Sequence, residues 1–220
     1  MFFLSLVNTK KSAWVGWSFL VATAFFGQAW AVEINQSNPE AMVKELSETV
    51  ITEVDKQRAE LEADPQKIKV FAETFVLPYV DTPKMARYVM ANYWKQATPS
   101  QQAAFTEAFT NTLLRSYASS ILKLQVTRID VSKAVETRPG RASVTTDVTQ
   151  GDGNVSTVVY RAFQDSKTQK WMLYDVSIEG ISLLLNYRKT FASEFQRKGI
   201  DQVIEELNAK NRQFSSASEA

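Results

Sequence analysis

Cysteine and histidine are both absent from the 220 residues. Without Cys there is no disulfide, so packing alone must hold the fold. Without His there is no Ser-His-Asp triad and no Cys-His pair, and a zinc site would lack both of its usual ligand types. Catalysis would be left to carboxylates, Lys, Tyr and Ser. Charge of one sign is also missing. Lys and Arg number 25 against 24 Asp and Glu, a formal charge of +1. A nearly neutral chain has no electrostatic footprint for nucleic acid and no large basic patch for an anionic membrane.

Long apolar runs are scarce as well. The longest spans Ala13 to Phe26, behind Lys10 and Lys11 and ahead of the small-x-small triplet Ala29-Trp30-Ala31. A basic start, a short apolar stretch and a processing site make a secretory signal peptide. A retained anchor would need ~20 uninterrupted apolar residues, and Gly16, Ser18, Thr23 and Gly27 dilute this run. We therefore expect residues 1–31 to be removed, residues 32–211 to form one domain and 212–220 to be a flexible tail. Removing Lys10 and Lys11 leaves 23 basic against 24 acidic residues, a charge of −1. No later stretch is apolar enough to span a bilayer, so a soluble product is expected.

Four prolines follow a residue that caps helices: Asn38-Pro39, Asp64-Pro65, Thr82-Pro83 and Thr98-Pro99. Asn, Asp and Thr accept from the free N–H groups of a first turn, and proline suits the first helical position. Each pair predicts a helix start, and downstream spacing agrees. Val43, Leu46, Val50 and Val54 share a face after the first. Ile68, Phe71, Ala72, Phe75 and Val76 follow the second; Ala86, Val89, Met90, Tyr93 and Trp94 follow the third. Thr98 and Gln101 form a capping box, and Phe105, Phe109, Leu113, Tyr117 and Ile121 then recur every fourth residue.

From Gln125 the period changes. Gln125–Val135, Arg141–Thr149, Val155–Gln164 and Lys170–Ile178 are rich in Val, Thr, Ile and Tyr and are separated by turn residues. They predict an antiparallel meander. Strand parity would turn Val158, Tyr160, Ala162, Tyr174, Val176 and Ile178 toward the helices, and Thr157, Arg161 and Asp175 away. Helical spacing returns with Leu184, Tyr187, Phe191 and Phe195, ends at Arg197-Lys198-Gly199, and resumes through Ile200, Val203, Ile204 and Leu207. The order predicts an α+β fold, a twisted antiparallel sheet of four to five strands wrapped by helices.

Large apolar residues concentrate between Phe75 and Tyr117. Such stripes fit a filled core as well as a hollow one, and spacing does not separate the two. In the hollow case, Phe75, Val76, Tyr79, Val80, Met85, Val89, Met90, Tyr93, Phe105, Phe109, Leu113 and Tyr117 would line an apolar pocket. Val158, Tyr160, Tyr174, Val176, Ile178 and Ile181 would line it from the sheet side. Met85 and Met90 suit a cavity of changing content. Asp147, Asp175 and Glu179 read as solvated or salt-bridged carboxylates. The alternative is an enzyme in which Asp147, Tyr160 and Tyr174 converge on one buried site. A weaker third reading is a non-lipid interaction module with a filled core and no cavity.

Several segments, taken in order, carry a resemblance. They are Leu77-Pro78-Tyr79-Val80-Asp81, Met85-Ala86, Asn92-Tyr93-Trp94 and Ala97 through Phe105. Trp171, Tyr174-Asp175-Val176, Glu179-Gly180-Ile181-Ser182, Tyr187-Arg188, Phe195 and Arg197 through Asp201 complete the set. Together they closely resemble the MlaC, or toluene-tolerance, family over nearly the whole chain after residue 31. The resemblance implies a cone-shaped fold similar to NTF2-like proteins and a monomeric periplasmic carrier with no catalytic residue. Its cargo would be phospholipid, held by the acyl tails, with no other cofactor and no metal. It would exchange that cargo with an outer-membrane lipoprotein complex and with an inner-membrane ABC transporter bearing a lipid-binding ring, in maintenance of outer-membrane lipid asymmetry.

Overall fold

Side chains that close helix ends lay out the first half of the molecule. The structure is a computed structural model and describes residues 33–216 except Leu124. The expected signal peptide lies outside the described residues. Asn38 Oδ1 accepts from the N–H groups of Glu40 and Ala41 at 2.8 and 3.1 Å and opens α1 (Pro39–Ala63). Asp64 accepts from the Gln66 N–H at 2.8 Å and opens α2 (Pro65–Phe75). A 3₁₀ turn (Leu77–Tyr79) leads to α3 (Thr82–Met90). There the cap is Asp81, which accepts from the Lys84 N–H at 2.8 Å, and not Thr82 as expected. A carboxylate gains more than a hydroxyl at the positive end of a helix, so the helix begins one residue early. After α4 (Tyr93–Gln96), the Thr98–Gln101 box forms in both directions, at 3.2 and 2.9 Å, ahead of α5 (Pro99–Lys123).

The strands are β1 (Val126–Val131), β2 (Val135–Arg138), β3 (Arg141–Gln150), β4 (Val155–Gln164), β5 (Trp171–Ile178) and β6 (Ile181–Ser182). They form one antiparallel sheet in the order β1-β3-β4-β5-β6, with β2 also on β3. Among the described residues six strands are found where four to five were expected, for two reasons. The segment read as one strand over 125–135 breaks in two, where the Ala134 N–H turns to the Glu40 carboxylate of α1 at 3.1 Å. The two-residue β6 follows a turn in which Glu179 and Gly180 both have positive φ, 49° and 78°, as a type I′ hairpin requires. Helix α6 (Leu183–Ser216) completes the fold and breaks at Gly199, whose φ of 78° and ψ of 173° suit only glycine. It remains helical past Arg212, where a flexible tail was expected.

Three apolar clusters hold these elements. The first joins α3, α5 and α6 through Phe105, Phe109, Phe191 and Phe195. The second packs Met42, Val43 and Leu46 of α1 on Ala142, Val144, Ala162, Trp171 and Leu173 of the sheet. The third is smaller: Val54, Leu61, Phe71 and Leu122, where α1, α2 and α5 meet.

Strand parity holds up to a bulge. Thr146, Val144 and Ala142 pair with Val158, Tyr160 and Ala162, and this face packs on α1. Val158 and Tyr160 pair in turn with Ile178 and Val176. Between Asp175 and Leu173 the register slips, so Tyr174 is the extra residue and crosses to the opposite face, against Phe163 at 6.1 Å. Tyr174 thus leaves the face it was expected to share with Val176 and Ile178, because a one-residue insertion inverts the faces beyond it, and it meets helices on the other side, against the first cluster. Asp175 was expected to face away from the helices as a solvated or salt-bridged carboxylate; it is salt-bridged, and it is buried against the start of α6. Its carboxylate accepts from Arg161 at 3.0 Å, from Ser182 Oγ at 2.7 Å and from the Leu184 N–H at 3.1 Å.

Candidate functional site: an apolar cavity

Where the first and third clusters face each other, the side chains do not meet. They leave a cavity of about 670 Å³, within the range of small-ligand pockets. Val54 and Leu61 of α1, Phe71 of α2, Met85 of α3, Leu113 and Tyr117 of α5, and Val176 and Ile178 of β5 are among its walls. The lining is largely aliphatic and aromatic, and among the described residues its only charged member is Glu179. Glu179 sits on the β5–β6 turn, and its carboxylate accepts from the Thr157 N–H at 2.7 Å. Ile178 and Ile181, beside it, are 48 % and 69 % exposed. The cavity therefore opens to solvent at this hairpin, together with Ser182 and Asn186. On the α5 wall, burial pushes the Tyr117 hydroxyl up to about 12, helped by the charge of Tyr187 and a hydrogen bond with it.

Of the residues expected to line a pocket, Val76, Val80, Met85, Leu113, Tyr117, Val176, Ile178 and Ile181 do so. The structure places the others elsewhere. Val89, Met90, Phe105 and Phe109 are fully buried inside the first cluster, against which Tyr93 and Tyr174 also pack. Tyr79 and Tyr160 pack on the second cluster, and Phe75 on the third, with its ring 4.9 Å from Phe71. Val158 is buried within the sheet opposite Thr146. Spacing reports which way a residue faces, not whether another side chain meets it there.

The cavity also has walls that the sequence reading did not assign to it. Val54, Ile68, Phe71 and Ala72 stood on recognised helix faces, and Leu61 continues the Val54 stripe after seven residues. Leu77 stood in the apolar stretch and in a quoted segment without being assigned to the pocket, while Leu114, Leu122 and Leu183 stand outside the quoted stripes and gave no signal of their own.

The three groups of the alternative acid–base reading do not converge. Asp147 accepts from Thr157 Oγ1 at 2.8 Å on the face away from α1. Tyr160 faces α1 and bonds Ser47 and Thr146, and burial raises its hydroxyl above the ordinary tyrosine value. Tyr174 lies at the other end of β4 from Thr157, beneath the Arg141 guanidinium at 5.3 Å. Among the described residues no cluster of acidic side chains could hold a metal ion, and no helix is long and apolar enough to cross a membrane.

The family model for the MlaC protein matches residues 44–209. The intermembrane phospholipid transport system binding protein MlaC of Haemophilus influenzae is 20 % identical over 206 residues, covering 93 % of this chain and 94 % of that one. The toluene tolerance protein ttg2D of Pseudomonas putida is 26 % identical over 164 residues, covering 74 % and 75 %. A phospholipid-binding protein from Ralstonia solanacearum, solved with a phospholipid bound, superposes with a TM-score of 0.73. It shares 22 % identity, and the match covers 81 % of this chain and 99 % of that one.

Proposed function

The chain belongs to the MlaC family, and on that premise we propose that it carries phospholipid through the periplasm with the acyl chains in the cavity described above. The observation that carries the reading is the cavity itself, apolar over nearly all its wall, with Glu179, Ser182 and Asn186 at the exposed hairpin end. Burying a methylene is worth ~0.8 kcal/mol, so two chains of about thirty methylenes need a gross term on the order of 20 kcal/mol. A carrier has to supply nearly all of it from apolar wall, and acid–base groups add nothing to that. The head group would stay in water at the Glu179 hairpin.

The rest of the reading follows from the family. Residues 1–31 would be the signal peptide that sends the chain to the periplasm, and the domain would act as a monomer, with cargo in place of a cofactor. Its exchange partners would be an outer-membrane lipoprotein complex and an inner-membrane ABC transporter with a lipid-binding ring, one carrier handing phospholipid to the next to maintain outer-membrane lipid asymmetry. Transfer between partners needs only a small difference in affinity, since the acyl term is similar on both sides. The test is to purify the protein after expression in a Gram-negative host, extract it and identify lipids by mass spectrometry. Co-purifying phospholipid, and its uptake from vesicles after delipidation, are expected. Absence of both would overturn the proposal.

A further inference from the structure

An outer groove of about 570 Å³ runs along the seam between α2 and α5, with Lys69 and Glu73 on one bank and Ala103 and Asn111 on the other. Four residues line both this groove and the inner cavity: Leu77, Thr82, Thr110 and Leu114. The wall between the two spaces is therefore one side chain thick. It is also apolar. Thr110 donates its hydroxyl back to the Thr106 carbonyl at 2.8 Å, which leaves its methyl as the free part of the side chain. No charged group stands in the wall, and the charges of Lys69, Glu73 and Glu107 lie on the groove side alone. Among the described side chains of α2, Phe71 and Ala72 are the two that are buried. The groove lies on the far side of this wall from the cavity and includes none of the mouth residues Glu179, Ile181 and Asn186.

We propose that the seam at Leu77 and Leu114 is a side outlet: the end of a long acyl chain passes between these leucines and lies in the outer groove. The two residues thereby set the chain length that the protein accepts. The inference rests on the phospholipid reading above. The occupant follows from continuity, since whatever fills the cavity meets the groove across Leu77 and Leu114, and only a thin apolar segment passes there without stranding a polar group. The groove floor, with Pro83, Trp94 and Pro99, offers such a segment apolar contact that solvent does not.

The experiment loads the full-length protein from vesicles holding equal amounts of dimyristoyl and dioleoyl phosphatidylethanolamine and reads the bound ratio by mass spectrometry. Ala103 lines the groove but not the cavity and is exposed, so Ala103→Trp fills the groove without touching the core. It should cut the oleoyl-to-myristoyl ratio by about fourfold or more, the worth of one methylene returned to water, while myristoyl loading is unchanged. Leu114→Ala widens the outlet and should move the ratio the other way. Because the chain has no cysteine, Ala103→Cys also takes a single bimane label. That label should be quenched by phospholipids brominated near the chain end and not by those brominated near the glycerol.

An unchanged ratio in Ala103→Trp, or a label blind to both brominated lipids, overturns the outlet. So does an equal loss of both chain lengths in a folded Ala103→Trp protein. Should Leu114→Ala not fold, Ala103→Trp and the label still decide. Normal loading of the unsubstituted protein with these negative results would sink the outlet alone; no loading at all would sink the carrier reading with it.

Discussion

Glutamate placed at two valines, Val89→Glu and Val176→Glu, should give opposite failures. Val89 is 1 % exposed, within the first cluster. A carboxyl there has no partner and no room for water. Burial of that depth raises a carboxyl by about 3–5 pKa units, so at neutral pH it is forced to protonate, which costs about 3–4 kcal/mol against an unfolded value of about 4.3 before any overpacking is counted. A domain of this kind has about 5–15 kcal/mol in total, so Val89→Glu should be unfolded or melt far below the parent. Val176 is half-buried and faces the cavity. Once cargo is gone, water can enter and hydrate a carboxylate there, so the fold should survive. The same hydrated group would displace about four methylenes of bound chain, ~3 kcal/mol or about two orders of magnitude in affinity. Circular dichroism melts of delipidated protein, run beside uptake from vesicles, read both outcomes. Bound cargo stabilises by mass action, so only the parent should melt higher after loading. A Val89→Glu protein with parental melting would refute the packed-core argument, and a Val176→Glu protein with parental uptake would refute the cavity as the site.

Three further outcomes rest on contacts and backbone angles described above. Asp175→Ala removes a buried carboxylate with three donors, one of them the buried Leu184 N–H. It should cost about 3 kcal/mol in urea unfolding, the low end for a broken buried pair, because Arg161 is half-exposed and can turn to water. Gly199→Ala forces a Cβ onto a backbone with φ of 78° and ψ of 173°, and should lower stability by about 1–3 kcal/mol although no atom stands in its way. Tyr117 ionises near 10 in the unfolded chain and near 12 in the fold. Between those values the unfolded state binds fewer protons, so stability falls as pH rises through 10 and levels off past 12. Tyr117→Phe should make urea midpoints in that window less dependent on pH, and an unchanged slope would contradict the shift.

The parts legible in the sequence were those decided within a few residues. Asn38, Asp64 and the Thr98–Gln101 box mark helix starts because each cap bonds its own first turn. Gly199 was visible as a break for the same local reason. Misreadings began where two local signals competed, as at Asp81 and Thr82, or where a distant group intervened, as when Glu40 draws Ala134 out of the strand. The bulge at Tyr174 depends on the register of β4 against β5, which no single strand records. The cavity was half legible. Met85 and Val89 sit one turn apart and both belong to the first cluster, yet only Met85 also lines the cavity. That cluster is completed by Phe191 and Phe195 of α6, about a hundred residues downstream, which spacing within α3 does not record.

The Asp175 junction also bears on the missing thiols. One carboxylate joins β4, β6 and the start of α6, a kind of cross-connection for which exported domains often use a covalent bridge. A fastening made of hydrogen bonds forms within the folding transition itself. It needs no oxidant and no isomerase, and it leaves no sulfur to be scrambled or over-oxidised. The described domain is therefore indifferent to redox poise: unfolded in urea and diluted out, it should regain the same state at the same rate with or without reductant.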